Sequence, residues 1–211
     1  ANRAGIRWAR EITGRSKVLV FDGCYHGQVD DAFVEIRDDA TVMREGLLGQ
    51  VHDLASTSTA LPFNDLEAVE WALSTDSIAL VLTEPALTNT AMVLPDPGFL
   101  EGLIRLSREH GALVAFDETH TISSGLGGYC GAHGLVPDFY VLGKPVAGGL
   151  PAAVYGFTAG IEAEMRRILN DKPEGYSGIG TTLSGNMLAL AAMRACLAEV
   201  MTEATYARMT E

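Results

Sequence analysis

Apolar residues in this chain fall into short unbroken runs separated by stretches with helical spacing, and that alternation predicts the architecture. Lys17–Phe21, Ile78–Leu82, Leu113–Phe116 and Phe139–Leu142 are rich in β-formers and bounded by turn residues. Such runs read as strands buried on both faces of a parallel sheet. Ile6, Ala9 and Ile12, with Trp8 nearby, predict a helix over residues 2–13 that Thr13-Gly14 can end. Asn64-Asp65-Leu66-Glu67 opens another as an N-cap followed by acids, with Leu66, Val69, Trp71 and Leu73 as apolar surface. Phe99, Leu103, Ile104 and Leu106 mark a third between Pro97-Gly98 and His110-Gly111. Ile161, Met165 and Ile168 mark a surface helix over 160–169, and a long helix starts at Asn186. Periodicity fails from about 30 to 62, and five glycines between Ser123 and Gly134 predict a loop. Ala152–Phe157 follows Pro151 too closely for a helical crossover and is expected to return antiparallel. The alternation predicts an α/β domain, a mostly parallel sheet flanked by helices and joined by right-handed crossovers, with no linker that splits it.

Several strands end in a charged group. Leu113–Phe116 runs into Asp117-Glu118, Phe139–Leu142 into Gly143-Lys144, and Ile78–Leu82 into Thr83-Glu84-Pro85. Parallel sheets bind ligands at the carboxyl ends of their strands, so an acid and a lysine share one rim. A lysine in a partly desolvated site attacks carbonyls to form an imine, and a carboxylate can keep a heterocyclic nitrogen protonated. Those are the two protein groups that pyridoxal 5'-phosphate requires. Val146-Ala147-Gly148-Gly149-Leu150-Pro151 follows the lysine with almost no side-chain bulk, which allows close backbone approach. Strand-end residues facing water are the plain alternative for each group taken alone.

Composition narrows the partners. The 211 residues are 47% hydrophobic and 20% charged, enough apolar material for a substantial core. A net charge of -12 argues against a nucleic-acid or anionic-membrane surface and for a small-molecule partner. Cys24, Cys130 and Cys196 are widely spaced, which suits a reducing compartment, so cytoplasm is expected, and suits neither a disulfide framework nor a zinc site. No leader opens the chain, and no apolar run of ~18 residues suggests a membrane span.

Phe116-Asp117-Glu118-Thr119-His120-Thr121 and Leu142-Gly143-Lys144-Pro145-Val146-Ala147-Gly148-Gly149-Leu150-Pro151 carry a resemblance, together with Tyr25-His26-Gly27, Glu84-Pro85 and Thr182-Leu183-Ser184-Gly185-Asn186. In this order they resemble the aspartate and lysine motifs of class III aminotransferases, most of all the group of glutamate-1-semialdehyde aminomutase and its aminotransferase relatives. The resemblance implies the three-layer large domain of fold type I pyridoxal-phosphate transferases, as in aspartate aminotransferase. It implies Lys144 as the Schiff-base lysine, Asp117 as partner of the pyridine nitrogen, and Tyr25 stacked on the cofactor ring. Thr119, read as a strand residue on the face of Asp117, would pack on that ring. His120 departs from the family's usual glutamine or methionine near the phenolic oxygen. Glu84 and Asn89 match positions near the site, His26 is placed to orient the tyrosine loop or only to be satisfied by it, and Glu118 reads as structural. Gly178–Gly185 can form an anion site before a helix, and the resemblance sends Thr182 to the cofactor phosphate of a neighbouring subunit, hence a homodimer.

Ala1-Asn2 matches the tail of the family's phosphate-binding turn, so the chain is expected to be the cofactor-binding large domain, residues 1–211, without that turn's start and without a small carboxyl-terminal domain. Three activities stay open at this point: an aminotransferase acting on an amine or amino acid and an oxo acid, an aminomutase that shifts the amino group within one molecule, and a cofactor-binding protein without turnover.

Overall fold

Six strands form one sheet in the order β4-β1-β5-β6-β7-β8 in the computed structural model, which describes residues 1–75, 77–176 and 178–209. The strands are β1 (Lys17–Phe21), β4 (Ser58–Leu61), β5 (Ile78–Thr83), β6 (Leu113–Asp117), β7 (Phe139–Leu142) and β8 (Val154–Phe157). All neighbours pair in parallel except β7 and β8, where Val141 lies opposite Tyr155 in an antiparallel ladder. The antiparallel return expected after Pro151 is therefore present. Strand order reverses at β1, which has β4 on one side and β5 on the other.

The apolar runs behave as their composition requires. Val18–Phe21 and Ile78–Leu82 have no solvent exposure, because helices cover both faces of a parallel sheet. Helix α1 (Asn2–Thr13) buries Ile6 and Ala9 and stops at Gly14, whose φ of 68° closes it in the left-handed conformation. Helix α2 (Leu66–Thr75) begins one residue later than its acidic start suggests. Asp65, not Asn64, accepts from the Ala68 amide, while Asn64 accepts from the Asp96 amide. Trp71 is exposed rather than part of the apolar surface. Helix α3 (Phe99–Glu109) places Phe99 edge-on against Phe21 and Phe63, an aromatic cluster beneath the sheet.

Two stretches without periodicity contain structure. Within 30–62, β2 (Val34–Arg37) and β3 (Ala40–Met43) form a separate hairpin whose two-residue turn, Asp38-Asp39, has positive φ at both positions. The Ser/Thr stretch before Leu61 supplies β4, a polar-looking strand that is nonetheless buried at Ser58, Thr59 and Ala60. Its outer edge is closed by the Thr41 hydroxyl, which accepts from the Ala60 amide and sits 3.3 Å from its carbonyl. Near the other end of the chain, α5 (Ala159–Asn170) buries Ile161, Met165 and Ile168 as expected. The long helix from Asn186 is instead three pieces, α6 (Met187–Ala195), a wider π-turn over Cys196–Val200, and a terminal helical segment, Glu203–Met209.

The glycine loop Ser123–Gly134 is not irregular either, since it contains a short helix, α4 (Gly128–His133). Its anchor is Glu118, fully buried, whose carboxylate accepts from the Tyr129 and Cys130 amides at 2.8 and 2.6 Å and from the Thr121 hydroxyl at 2.6 Å. A buried charge with three donors is satisfied, and it fixes the first turn of that helix. Gly128 makes this possible: its φ is +72°, and a Cβ there would stand 2.6 Å from both Glu118 Oε2 and the Tyr140 hydroxyl. Gly128→Ala is expected to cost about 2–3 kcal/mol. Urea unfolding at unchanged slope would show a lowered midpoint; an unaltered midpoint would mean that the loop relaxes freely.

Candidate active site

The carboxyl ends of β1, β5, β6 and β7 converge on one cavity of about 470 Å³. Tyr25 and His26 reach it from the loop after β1, and Glu84 from the end of β5. Asp117, Thr119 and His120 come from the end of β6, and Lys144 from the turn after β7. Asn89 is not among the lining residues, though its Nδ2 lies 3.5 Å from Glu84, and Thr182 lies elsewhere, exposed on the segment before α6. Its neighbours Thr181 and Ser184 line a second cavity of about 450 Å³ that shares Ala1 and Arg3 with the first.

Asp117 is the best-held group in the site. Its Oδ1 accepts from the Thr119 hydroxyl at 2.6 Å and the Thr119 amide at 3.2 Å, and its Oδ2 from Asn2 Nδ2 at 2.7 Å and His26 Nδ1 at 3.0 Å. Burial by itself would raise the pKa of this carboxyl. The His26 hydrogen bond and charge, then the Thr119 and Asn2 donors, outweigh burial and hold it well below the usual carboxylate range. His26 shows the complementary shift. Burial opposes its charge, but the fields of Cys24 and Asp117 and the bond to Asp117 lift the imidazole to about 10. A buried imidazolium–carboxylate pair therefore stands at the cavity wall.

Two expectations change here. Thr119 is not a strand residue on the face of Asp117: β6 ends at Asp117, the Ile122 amide turns back to the Glu118 carbonyl, and Thr119 reaches Asp117 through that turn. His26 grips Asp117 rather than orienting the tyrosine loop, because its ring is turned into the core. Tyr25, next to it, is 43% exposed with its ring at the cavity.

Lys144 is exposed at the cavity rim and, among the described residues, makes no hydrogen bond or ion pair; the partial desolvation expected from the sequence is absent. Its φ of 40° is left-handed, a conformation that costs a non-glycine residue about 1–3 kcal/mol and that collects at functional sites. Gly143 lets the lysine turn meet the aspartate turn, since a Cβ there would lie 3.3 Å from Thr119 Oγ1.

Glu84 is buried and accepts from the Thr88 hydroxyl and amide, and the same hydroxyl contacts His120 Nδ1. Thr88 is a residue that sequence reasoning did not place, and Asn2, read there only as the tail of a phosphate-binding turn, donates to Asp117. Asn2 heads α1 at the cavity wall. Its Oδ1 is buried with no partner among the described residues, an acceptor left for a ligand. A free amine, a held anionic carboxylate and an orphaned acceptor fit a cationic heterocycle that carries an aldehyde.

The mostly parallel sheet with its carboxyl-end cavity has the fold type I architecture of pyridoxal-phosphate transaminases. The sequence matches the family model "Aminotransferase class-III" over residues 1–211, and the chain belongs to that pyridoxal-phosphate-dependent family. A curated relative, glutamate-1-semialdehyde 2,1-aminomutase of Roseiflexus castenholzii, is 43% identical over 201 residues, 93% of this chain and 45% of the relative. The crystal structure of a glutamate-1-semialdehyde-aminomutase from Pseudomonas aeruginosa PAO1 superposes with TM-score 0.93 at 47% identity, over 99% of this chain and 47% of that one. A lysine-to-alanine variant of it, in complex with PMP, gives TM-score 0.93 at 46% identity, over 99% of this chain and 47% of that one. The chain thus spans about half the length of the relatives it matches.

The buried pair makes stability depend on pH in two directions. His26 is raised from 6.5 to about 10 on folding, so its contribution is complete below pH 6.5 and is lost as pH climbs toward 10. Asp117 is lowered from 3.8, so its contribution is complete above 3.8 and is lost as pH falls through its folded value. The pair stabilises fully between those limits. His26→Gln, which keeps an N–H donor, is expected to lose about 1.5–3 kcal/mol at pH 6 and the alkaline decline with it. Urea midpoints measured from pH 6 to 10 check this; an alkaline slope equal in both proteins would assign it to other groups.

Proposed function

We propose that residues 1–211 are the cofactor-binding large domain of a glutamate-1-semialdehyde aminomutase type of enzyme, which exchanges an amino group at carbon 2 with an oxo group at carbon 1 of one substrate. The observation that carries the reading is the free Lys144 amine set across one cavity from an Asp117 carboxylate kept anionic by His26. The relatives' names favour the intramolecular reaction over transfer between an amine or amino acid and a separate oxo acid. Three buried free thiols support a reducing, cytoplasmic setting.

Bound here, pyridoxal 5'-phosphate supplies an electron sink for a carbanion next to nitrogen. Lys144 would hold its aldehyde carbon, and Asp117 would keep its ring nitrogen protonated through charge attraction. Tyr25 and Thr119 would pack against the ring. The Lys144 amine would carry a proton from the substrate carbon that bears nitrogen to the carbon that receives it. His26 holds Asp117 anionic throughout.

Thr182 enters this reading from a second copy. It is exposed and outside its own chain's cavity, and the adjoining Leu183, Met187 and Leu188 are 74%, 80% and 70% exposed, an apolar patch suited to a homodimer. Light scattering during cofactor titration is expected to show affinity rising as dimers form, and Thr182→Ala to weaken it. Tight binding by a monomer would overturn the shared site.

Borohydride reduction with cofactor, followed by peptide mapping, is expected to label Lys144, and Lys144→Ala to abolish the label; a label on Lys17 or Lys172 would refute the assignment. With glutamate-1-semialdehyde as sole substrate, the isomer with exchanged groups should form without an added oxo acid. A requirement for one would restore the aminotransferase reading. Asp117→Asn should slow conversion about 10²- to 10³-fold.

A further inference from the structure

His120 is one of the titratable side chains of the cavity with no part in the chemistry so far. Its ring is one-third exposed, at the cavity wall, and its Nδ1 contacts the Thr88 hydroxyl. Behind Thr88 lies Glu84, whose carboxylate is 4% exposed and 3.6 Å from His120 Nδ1.

The donors in this cluster can be counted. A carboxylate only accepts, and Glu84 receives the Thr88 hydroxyl and, at 3.3 Å, the Thr88 amide on Oε2, with Asn89 Nδ2 at 3.5 Å on Oε1. The Thr88 hydroxyl has one proton, and Glu84 takes it. Toward His120 that oxygen can only accept, so Nδ1 must carry a hydrogen. A neutral imidazole with its hydrogen on Nδ1 has its lone pair on Nε2, the nitrogen left for the cavity.

We propose that Glu84 and Thr88 are positioning residues that fix this tautomer, and that His120 Nε2 is the base that takes a proton from the substrate's incoming ammonium group. The amino compound arrives as R–NH3+, which has no lone pair and cannot attack a carbonyl carbon. Transfer of one proton to Nε2 gives R–NH2 and an imidazolium; no electrons change hands, and the proton returns when product nitrogen leaves. Glu84 offsets the new positive charge, transmitted through the Thr88 oxygen that still accepts from Nδ1. The other titratable or charged groups on the cavity wall are the Ala1 amine, Arg3, Asp117 with its His26, Lys144 and Tyr25, and of these only Asp117 is a carboxylate. Asp117 is already neutralised by His26, which leaves Glu84 as the carboxylate that acts on His120.

The identity of the substrate rests on the function proposed above, but the tautomer does not, and the experiment separates them. Long-range proton–nitrogen NMR on the cofactor-free, 15N-histidine-labelled chain, at a pH where imidazole is neutral, is expected to show His120 protonated at Nδ1, with the resonance assigned by its loss in His120→Gln. Thr88→Ser should preserve that tautomer and Thr88→Val should lose it. A hydrogen on Nε2 in the unaltered protein, or no change in Thr88→Val, would overturn the proposal whatever the enzyme does. With cofactor bound, the rate of the absorbance change on mixing with an amine is read against pH. His120→Gln and Thr88→Val should each fall about 10²-fold near neutrality and recover as pH approaches the ionisation of the amine, while Thr88→Ser stays near the parent. Parallel pH profiles in all variants would overturn the base assignment. No absorbance change in any protein, with the tautomer as expected, would count against the proposed function alone.

Discussion

A buried ion pair is the constraint on which the site depends. Asp117 closes the central strand, and a carboxylate in that position, 5% exposed, would not stay charged on burial alone. His26 makes it possible, with Thr119 and Asn2 supplying the remaining donors. These partners arrive from three places: the loop after β1, the turn after β6 and the head of α1. Asp117 and its donors therefore tie the first helix, the loop after β1 and the turn after β6 to the middle of the sheet, so the electrostatics here are as much a tertiary clamp as a chemical device.

Much of this was legible in the sequence because the parallel strands are buried on both faces and so cannot hide their composition. Val18–Phe21 and Ile78–Leu82 have no polar alternative to reveal or conceal. The charged residues that end those runs stand out for the same reason, and Lys144, Asp117 and Glu84 were readable at one rim. What stayed hidden depends on contacts that no local pattern encodes. Strand β4 is spelled with serine and threonine, and its burial follows from pairing with β1. The helix within the glycine loop exists because Glu118 reaches back to it. Periodicity implied an extended Thr119, whereas the turn of Glu118 into the core ends the strand two residues early. Thr88 is an ordinary polar residue whose importance is entirely geometric, and so is the bond of Asn2 to Asp117.

Half of the rim is rigid and half is free. Asp117, Glu84 and His26 are buried and hydrogen-bonded in the sheet end, whereas Lys144 and Tyr25 are exposed at the rim. This division suits a reaction in which one side of the ligand is held at fixed charge while an amine on the other side changes partners. It also explains why the acid is clamped by four donors and the lysine by none among the described residues.

The left-handed backbone at Lys144 sets folding against chemistry at a single position. Glycine would relieve that conformation without cost to the turn, so a gene copy released from catalytic duty would gain stability by losing its lysine first. That the strained position still holds the one side chain able to form an imine speaks against decay to a passive binding protein. On the role proposed for Lys144, the turn gives up stability to keep an amine at the rim.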